Sequence, residues 1–212
     1  MRALRIALIL FASALVPLTA WAEASEGNSD YDTLVAKAAT GQDVDFGALR
    51  EAYARSPNYE PYGSKIPPIA HEMNQAANGG DCQKAIGLAQ TILEMNFTFS
   101  DAHFMVAYCS KKAGDTAAEA KASNIAVGLL KSIFASGDGK TPKTAFRVVT
   151  ISEEYSVLKI LRLRRSVQRL VSHEGHAYDV LDTKGSGDQT VSLYFKIDGI
   201  LEHANRALHP KQ

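Results

Sequence analysis

The clearest metal-ligand chemistry in the sequence lies in one short segment of the C-terminal third. His173 and His176 flank a Glu-Gly pair, and Asp179 and Asp182 follow within a few residues. Zinc proteases carry H-E-x-x-H on a helix, so that both imidazoles share one face. Here the spacing is one residue short and the glycine favours a turn. A solvated turn is the favoured interpretation, and a metal-dependent hydrolase or small-molecule-binding protein using His173 and His176 is the alternative.

A glycine-rich segment is the next candidate. Gly137–Thr141 ends in Gly-Lys-Thr, as the phosphate-binding loop does, but that loop needs a further glycine where this chain has Phe134. The phosphate-binding loop also runs from a strand into a helix, whereas this segment leaves a predicted helix and enters a predicted strand. We therefore interpret it as a turn. Without a nucleophile elbow, a paired-cysteine motif or a dinucleotide-binding pattern, the sequence predicts no catalytic residue, no cofactor and no metal site.

Several aromatic and histidine side chains have recognition chemistry instead. Two tyrosines lie in a loop that two prolines and a glycine keep irregular, and others lie on predicted helices, where repeat proteins use such side chains along a groove. Core packing is the favoured role for Tyr108. For the basic run from Lys159 to Arg169, a solvated face is favoured over an anion site. The candidate binding surface consists of Tyr59, Tyr62, His103, Tyr108, His173 and His176.

The two cysteines, Cys82 and Cys109, lie near opposite ends of two consecutive predicted helices. Antiparallel packing brings these ends together, and both residues lie on the apolar stripes that face each other. In an exported protein such a pair predicts a disulfide. The alternative is two small buried thiols.

The N-terminal segment, Met1–Ala22, has the order of a secretory signal peptide: Arg2 and Arg5, an apolar run, and then Ala-Trp-Ala as a cleavage site. Its removal leaves 21 basic residues against 23 acidic ones, a formal charge of −2. This balance lacks the basic footprint of a nucleic-acid-binding protein, and no later segment is long and apolar enough to span a membrane. We therefore expect an exported protein, periplasmic or secreted, with no nucleic-acid partner and no membrane span after signal cleavage.

The elements that must position these residues begin with a repeat. Gly80-Asp81 recurs 34 residues later as Gly114-Asp115, which is the period of tetratricopeptide helical hairpins. Between the two pairs, apolar residues recur with the spacing of amphipathic helices. Residues 23–135 are therefore predicted to form a tetratricopeptide-like helical region. Only about one complete repeat fits, which argues against a long solenoid.

The pattern changes after residue 135. Ala145–Thr150 and the segments 167–171, 176–183 and 191–197 are predicted strands, with a helix after the first strand and another at the C-terminus. The fold class is therefore α+β: antiparallel helical hairpins followed by a small, mainly antiparallel sheet with one or two helices. Residues 136–212 are expected to form this α+β region and to pack on the helices as one unit.

Several motifs in a fixed order resemble one protein family. They are Asp45-Phe46, Leu49-Arg50 with Tyr53, the loop with Tyr59 and Tyr62, Gly137–Pro142, Glu153-Glu154-Tyr155 and Gly175–Leu181. Over most of its length the chain resembles an exported bacterial family known as domain of unknown function 4919. The resemblance implies an exported protein with tetratricopeptide-like helices and a C-terminal sheet. That family has no established activity, so the resemblance transfers no catalytic residue.

The leading hypothesis is therefore a noncatalytic interaction or scaffold module of the bacterial envelope. It follows from the helical hairpins, which present surfaces to partners, and from the predicted disulfide. The expected partner is another envelope protein or a peptide.

Overall fold

The structure, a computed structural model, describes residues 30–185 and 189–209. The predicted signal peptide, Met1–Ala22, lies outside the described residues. Antiparallel helical hairpins come first, as the apolar periodicity predicts. The helices are α1 (30–39), α2 (Phe46–Arg55), α3 (Ile66–Asn78), α4 (Cys82–Met95), α5 (Ser100–Ala113) and α6 (Thr116–Phe134).

The repeated Gly-Asp pairs have the same structural role at two helix junctions. Gly80 and Gly114 have φ angles of 85° and 77°, a left-handed conformation that glycine adopts without strain. Asp81 then accepts a hydrogen bond from the backbone N–H of Lys84, three residues on, and Asp115 does the same at the start of α6. The 34-residue spacing thus reflects two equivalent stop-and-start signals, one before α4 and one before α6.

A disulfide ties α4 to α5. Cys82 is the first residue of α4, Cys109 lies near the end of α5, and their Cα atoms are 5.2 Å apart. Cys109 is fully buried and packs in a cluster with Ala77 of α3 and Ala85 of α4. The predicted cysteine pair therefore lies at disulfide distance and fastens this hairpin at the end away from its turn.

Removal of this disulfide is expected to lower the free energy of unfolding by about 3 kcal/mol. The cross-link spans 27 residues, and its loss returns that much conformational freedom to the unfolded chain. Urea unfolding of Cys82→Ala/Cys109→Ala beside the oxidised parent measures the difference. The double variant should not respond to reductant, whereas the parent should lose stability in reductant. A parent that is equally stable with and without reductant would contradict the expected role.

The α+β region follows α6 and contains a four-stranded mixed sheet in the order β1-β4-β3-β2. β1 pairs in parallel with β4, and the other neighbours are antiparallel. α7 and α8 complete the region. The elements are β1 (Phe146–Arg147), α7 (Ile151–Ile160), β2 (Arg164–His173), β3 (His176–Lys184), β4 (Thr190–Lys196) and α8 (Asp198–Leu208).

The first strand is shorter than the predicted segment 145–150, because the backbone groups of Val149 bond elsewhere. Its N–H donates to the Glu153 carboxylate at 2.8 Å, and its carbonyl accepts a hydrogen bond from the hydroxyl of Tyr59 at 2.6 Å. Only Phe146–Arg147 pairs with β4. Hydrogen bonds to the Glu153 side chain and to the loop between α2 and α3 therefore replace the strand pairing that alternation alone predicts.

The glycine-rich segment before β1 is a turn, as interpreted from the sequence. Gly139 has a φ of 70°, and a Cβ atom on it would overlap the ring of Phe146. A Cβ atom on Gly137 would lie 2.2 Å from the carbonyl oxygen of Thr144. Both glycines are thus required by close packing and backbone conformation, not by a phosphate.

One apolar cluster joins the two parts of the chain. Leu130 and Ile133 of α6 pack with Phe146, Leu181 and Phe195 of the sheet. A second cluster places α1 and α2 against α6. Because α6 is shared, it forms the wall on which the sheet and the first helices rest. Within residues 30–185 and 189–209, no helix has both the length and the apolar character needed to cross a membrane.

Candidate functional site

A cleft of about 350 Å³ lies where the helices meet the α+β region. Its walls are the loop between α2 and α3, the start of α5 and one flank of α7. The prolines and the glycine keep this loop from becoming helix, so it can run across the face of α7. Prominent lining residues are Tyr62, Ile66, Phe99, Ile151, Tyr155 and Lys159.

Two exposed tyrosines mark the mouth of this cleft. Tyr62 is 53% exposed and Tyr155 is 42% exposed, although both lie beside apolar side chains. The guanidinium of Arg165 lies over the ring of Tyr155, 5.6 Å from its centroid, which restricts the ring from the outside. Partly exposed aromatic rings over an apolar floor are typical of sites that bind a ligand or a peptide side chain.

The polar groups of the cleft lie at its rim and along α7. Lys159 and Asp101 form an ion pair across it, with Nζ and Oδ2 3.1 Å apart. The hydroxyl of Ser156 donates to the carbonyl of Ser152 at 3.0 Å. The cleft therefore offers a cation, an anion and hydroxyl groups around an apolar centre, which is an arrangement for recognition.

The tyrosine loop is held in place by hydrogen bonds to the segment before α7. The hydroxyl of Tyr59 donates to the carbonyl of Val149 at 2.6 Å, and the hydroxyl of Tyr53 accepts from the N–H of Glu60 at 3.3 Å. Burial raises the pKa of Tyr53 to about 12 and raises that of Tyr59 as well, so both hydroxyls stay neutral. Tyr59 thus supports the cleft from the interior.

A buried ion pair fixes α7 against α2 beneath the cleft. Arg50 donates through Nε and one terminal nitrogen to the two oxygens of Glu153, each at 2.7 Å. The same terminal nitrogen donates to the carbonyl of Arg147 at 2.7 Å, and the other donates to the hydroxyl of Ser132 at 3.2 Å. This two-pronged geometry satisfies both charges inside the protein.

A second buried acid, Glu154, faces the sheet on the other side of α7. Neither of its side-chain oxygens receives a hydrogen bond from a donor in the described part of the chain, and the same holds for Oδ1 of Asp179 on β3. Gln168 of β2 donates to Oδ2 of Asp179. Burial and the neighbouring Asp179 carboxyl raise the pKa of Glu154 to about 9, and burial raises the pKa of Asp179 too. At neutral pH Glu154 is therefore a protonated, uncharged acid buried beside Asp179.

His103 and Tyr108 of α5 lie outside the cleft. His103 is buried, its Nε2 lies 2.8 Å from the carbonyl oxygen of Phe97, and burial lowers its pKa to about 4. Tyr108 is exposed and carries the ammonium of Lys112 over its ring at 4.8 Å. Of the six predicted binding residues, Tyr62 lines the cleft and Tyr59 supports it.

The two histidines of the predicted alternative flank the tight turn between β2 and β3. His173 lies beside Glu174, and Nδ1 of His176 lies 2.8 Å from Oδ2 of Asp198. The structure turns Asp179 to the buried face beneath α7 and pairs Asp182 with Arg169. Across the described ranges, no group of three histidine, cysteine, aspartate or glutamate side chains is arranged to hold a metal ion.

Sequence reasoning missed the buried acids of α7. Glu153 and Glu154 look like acids placed at a helix N-terminus, where the dipole favours them. A usable signal was present: they precede the buried residues Val157 and Leu158 by four positions and so share the buried stripe of α7. Arg50, on the buried stripe with Leu49 and Tyr53, gave the matching signal on α2.

Comparison with known proteins gives one result. Neither the curated proteins nor the solved structures contain a match to this chain. A family model matches residues 30–206, which include helices α1 to α6, the cleft and the strands of the sheet. The chain therefore belongs to the family described as Domain of unknown function (DUF4919).

Proposed function

We propose that the protein is an exported, noncatalytic interaction module that holds a peptide segment of an envelope protein in the cleft. The observation that carries this proposal is the pair of exposed tyrosines, Tyr62 and Tyr155, over an apolar floor. Exposed aromatic side chains in a concave site are the usual anchors of protein recognition.

The size of the cleft supports a peptide as the occupant. A volume of about 350 Å³ accommodates a few side chains and is at the small end of ligand sites. Lys159 and Asp101 place one charge of each sign at the rim. Such a rim suits a peptide, whose backbone has donors and acceptors and whose side chains fill the apolar centre.

The surroundings of the hydroxyl groups near the cleft favour a binding role over a catalytic role. The hydroxyls of Ser152 and Thr150 lie 2.8 Å apart, and the hydroxyl of Ser156 donates to a backbone carbonyl. No histidine belongs to the described lining of the cleft, so neither serine has an imidazole base there. These serines therefore serve as hydrogen-bonding groups of the wall.

The disulfide between Cys82 and Cys109 supports the exported location. Disulfides persist in oxidising compartments such as the periplasm and the extracellular space. The sequence pattern of Met1–Ala22 supports the same route. The helical hairpins α3–α4 and α5–α6 then provide a rigid, tetratricopeptide-like frame behind the cleft.

Replacement of Tyr155 by alanine should weaken peptide binding about thirtyfold, or about 2 kcal/mol, because the side chain is a central aromatic anchor. Peptides selected from a displayed random library against the parent protein are the probes, and isothermal titration measures their affinity. Tyr108→Ala is the matched control, because Tyr108 is as exposed as Tyr155 but lies outside the cleft.

A photo-crosslinking residue at Tyr62 tests the proposal in the cell. It should capture the same envelope protein repeatedly, whereas the same residue at Tyr108 should not, and Tyr155→Ala should reduce the capture. If selected peptides bind Tyr155→Ala and the parent equally well, and both crosslinking positions capture the same proteins, the cleft is not the binding site.

A further inference from the structure

The sheet has one long edge that no described element covers. In the order β1-β4-β3-β2, strand β2 is terminal and ten residues long, and all of its residues except Val171 are exposed. The opposite side of the sheet is closed, because β4 pairs with β1 and Tyr194 donates its N–H to the carbonyl of Gly139 at 2.8 Å. The open hydrogen-bonding capacity of the sheet therefore lies at β2.

The turn between β2 and β3 defines which backbone groups of β2 point outward. Glu174 and Gly175 have φ angles of 50° and 79°, the conformation of a two-residue type I′ turn. In such a hairpin the flanking pair, His173 and His176, is hydrogen-bonded, and the pairs then alternate. By this alternation, the N–H and C=O groups that point away from β3 belong to Gln168, Leu170 and Ser172.

The outer edge carries apolar side chains that solvent reaches. Leu170 is 67% exposed and Val167 is 50% exposed, and the strand contains no proline. Natural proteins usually shorten or cover an edge of this kind, because it can pair with another chain. The bulge between Arg165 and Val167 affects only the first part of β2. The outward-pointing backbone groups from 168 to 172 remain in regular register.

The charges on this strand select the kind of partner. β2 contains three arginines and no acidic residue. Arg169 pairs with Asp182 at 2.9 Å, but no acid of the described ranges lies within ion-pair distance of Arg164 or Arg165. A second copy of β2 would bring like charge to this edge, whereas an acidic strand would meet unneutralised arginines.

We propose that the outer edge of β2 binds an extended acidic segment of a partner protein, which adds to the sheet as a further strand. The outward backbone groups of Gln168, Leu170 and Ser172 supply the hydrogen bonds, and Arg164 and Arg165 select acidic side chains. None of these residues lines the cleft, but Arg165 lies over the ring of Tyr155 at its mouth, so this edge adjoins the proposed peptide site.

The backbone contribution is tested with two substitutions at one position. Leu170→Pro removes an outward N–H without removing a bond to β3, whereas Leu170→Thr keeps that N–H and shortens the side chain. The probe is a short fluorescent peptide in which glutamate alternates with valine or threonine, and fluorescence anisotropy measures binding. We expect Leu170→Pro to weaken binding about tenfold or more and Leu170→Thr about threefold or less.

A second arm keeps the test independent of variant folding. The same peptide with N-methyl groups on alternate backbone nitrogens should not bind the unaltered protein, and Arg164→Glu/Arg165→Glu should reduce binding of the unmodified peptide most at low salt. The proposal is overturned if the acidic peptide does not bind, if a lysine-containing counterpart binds equally, or if N-methylation has no effect. Self-association that Leu170→Pro abolishes would likewise overturn it, because a second copy would then occupy the edge.

Discussion

Arg50→Met is expected to lower the free energy of unfolding by about 4 kcal/mol. The substitution keeps most of the side-chain volume but leaves the Glu153 carboxylate buried, with the N–H of Val149 as its one remaining donor in the described part of the chain. Both side chains of the pair are less than a tenth exposed, so water cannot replace the guanidinium. The carbonyl of Arg147 and the hydroxyl of Ser132 lose a partner as well.

The same helix provides the control for this prediction. Arg55 lies in the last turn of α2 and is exposed, so Arg55→Met should change stability by less than about 0.5 kcal/mol. Urea unfolding measures the stability of both variants and of the double variant Arg50→Met/Glu153→Met. The double variant separates the effect of the unpaired carboxylate from the effect of altered packing. The double variant should be more stable than Arg50→Met, because it removes the uncompensated carboxylate. Equal losses for Arg50→Met and Arg55→Met would show that the pair does not hold α7 to α2.

The position of this ion pair explains why its removal should also weaken binding in the cleft. Glu153 lies between Ser152 and Glu154 on α7, and the segment before it accepts the hydroxyl of Tyr59. Movement of α7 would therefore displace one wall of the cleft and loosen the tyrosine loop. Peptides that bind the parent should bind Arg50→Met more weakly even where the variant remains folded.

Local patterns in the sequence were sufficient for the helices and for the disulfide. Apolar periodicity and the Gly-Asp signals at 80–81 and 114–115 are properties of neighbouring residues, and the structure uses them as helix stops and starts. Cys82 and Cys109 follow from the antiparallel arrangement of two adjacent helices. The α+β class likewise follows from the change of period after residue 135.

The candidate site could not be derived in the same way, because it depends on contacts between distant segments. Arg50 and Glu153 are 103 residues apart, and the position of each on the buried stripe of its helix predicts burial but not the partner. Tyr59 and Tyr62 are neighbours in one loop, yet the first is buried by its bond to Val149 and the second is exposed in the cleft. The packing of α7 against that loop decides which tyrosine is buried and which is exposed in the cleft.

Glu154→Gln is expected to stabilise the protein, by about 3 kcal/mol at neutral pH and by about 6 kcal/mol near pH 9. The pKa of Glu154 rises from an ordinary value of 4.5 to about 9, because the side chain is buried beside Asp179. Above pH 4.5 the unfolded chain releases this proton while the folded protein keeps it. Rising pH therefore favours the unfolded state until about pH 9, where the folded protein releases the proton as well.

An amide at this position removes that pH dependence and keeps the size of the side chain. It is neutral in both states, it has nearly the shape of the protonated acid, and its NH₂ group can donate to Asp179. The stability of the parent should fall by about 1.4 kcal/mol for each pH unit within the window, relative to the variant. Urea unfolding of both proteins at several pH values between about 5 and about 9 measures this difference.

The comparison of pH profiles discriminates between a neutral and an ionised Glu154. Glu51→Gln, on the exposed side of α2, is the matched control for the replacement of a glutamate by a glutamine. Titrating groups that do not contact Glu154 contribute equally to parent and variant, so their contributions cancel in the difference. Asp179 is coupled to Glu154 and therefore contributes to it. If Glu154→Gln runs parallel to the parent, or destabilises the protein at every pH, then Glu154 is ionised in the fold and a cation must neutralise it. A diverging pair of curves instead identifies Glu154 and Asp179 as one unit that holds a proton between α7 and β3.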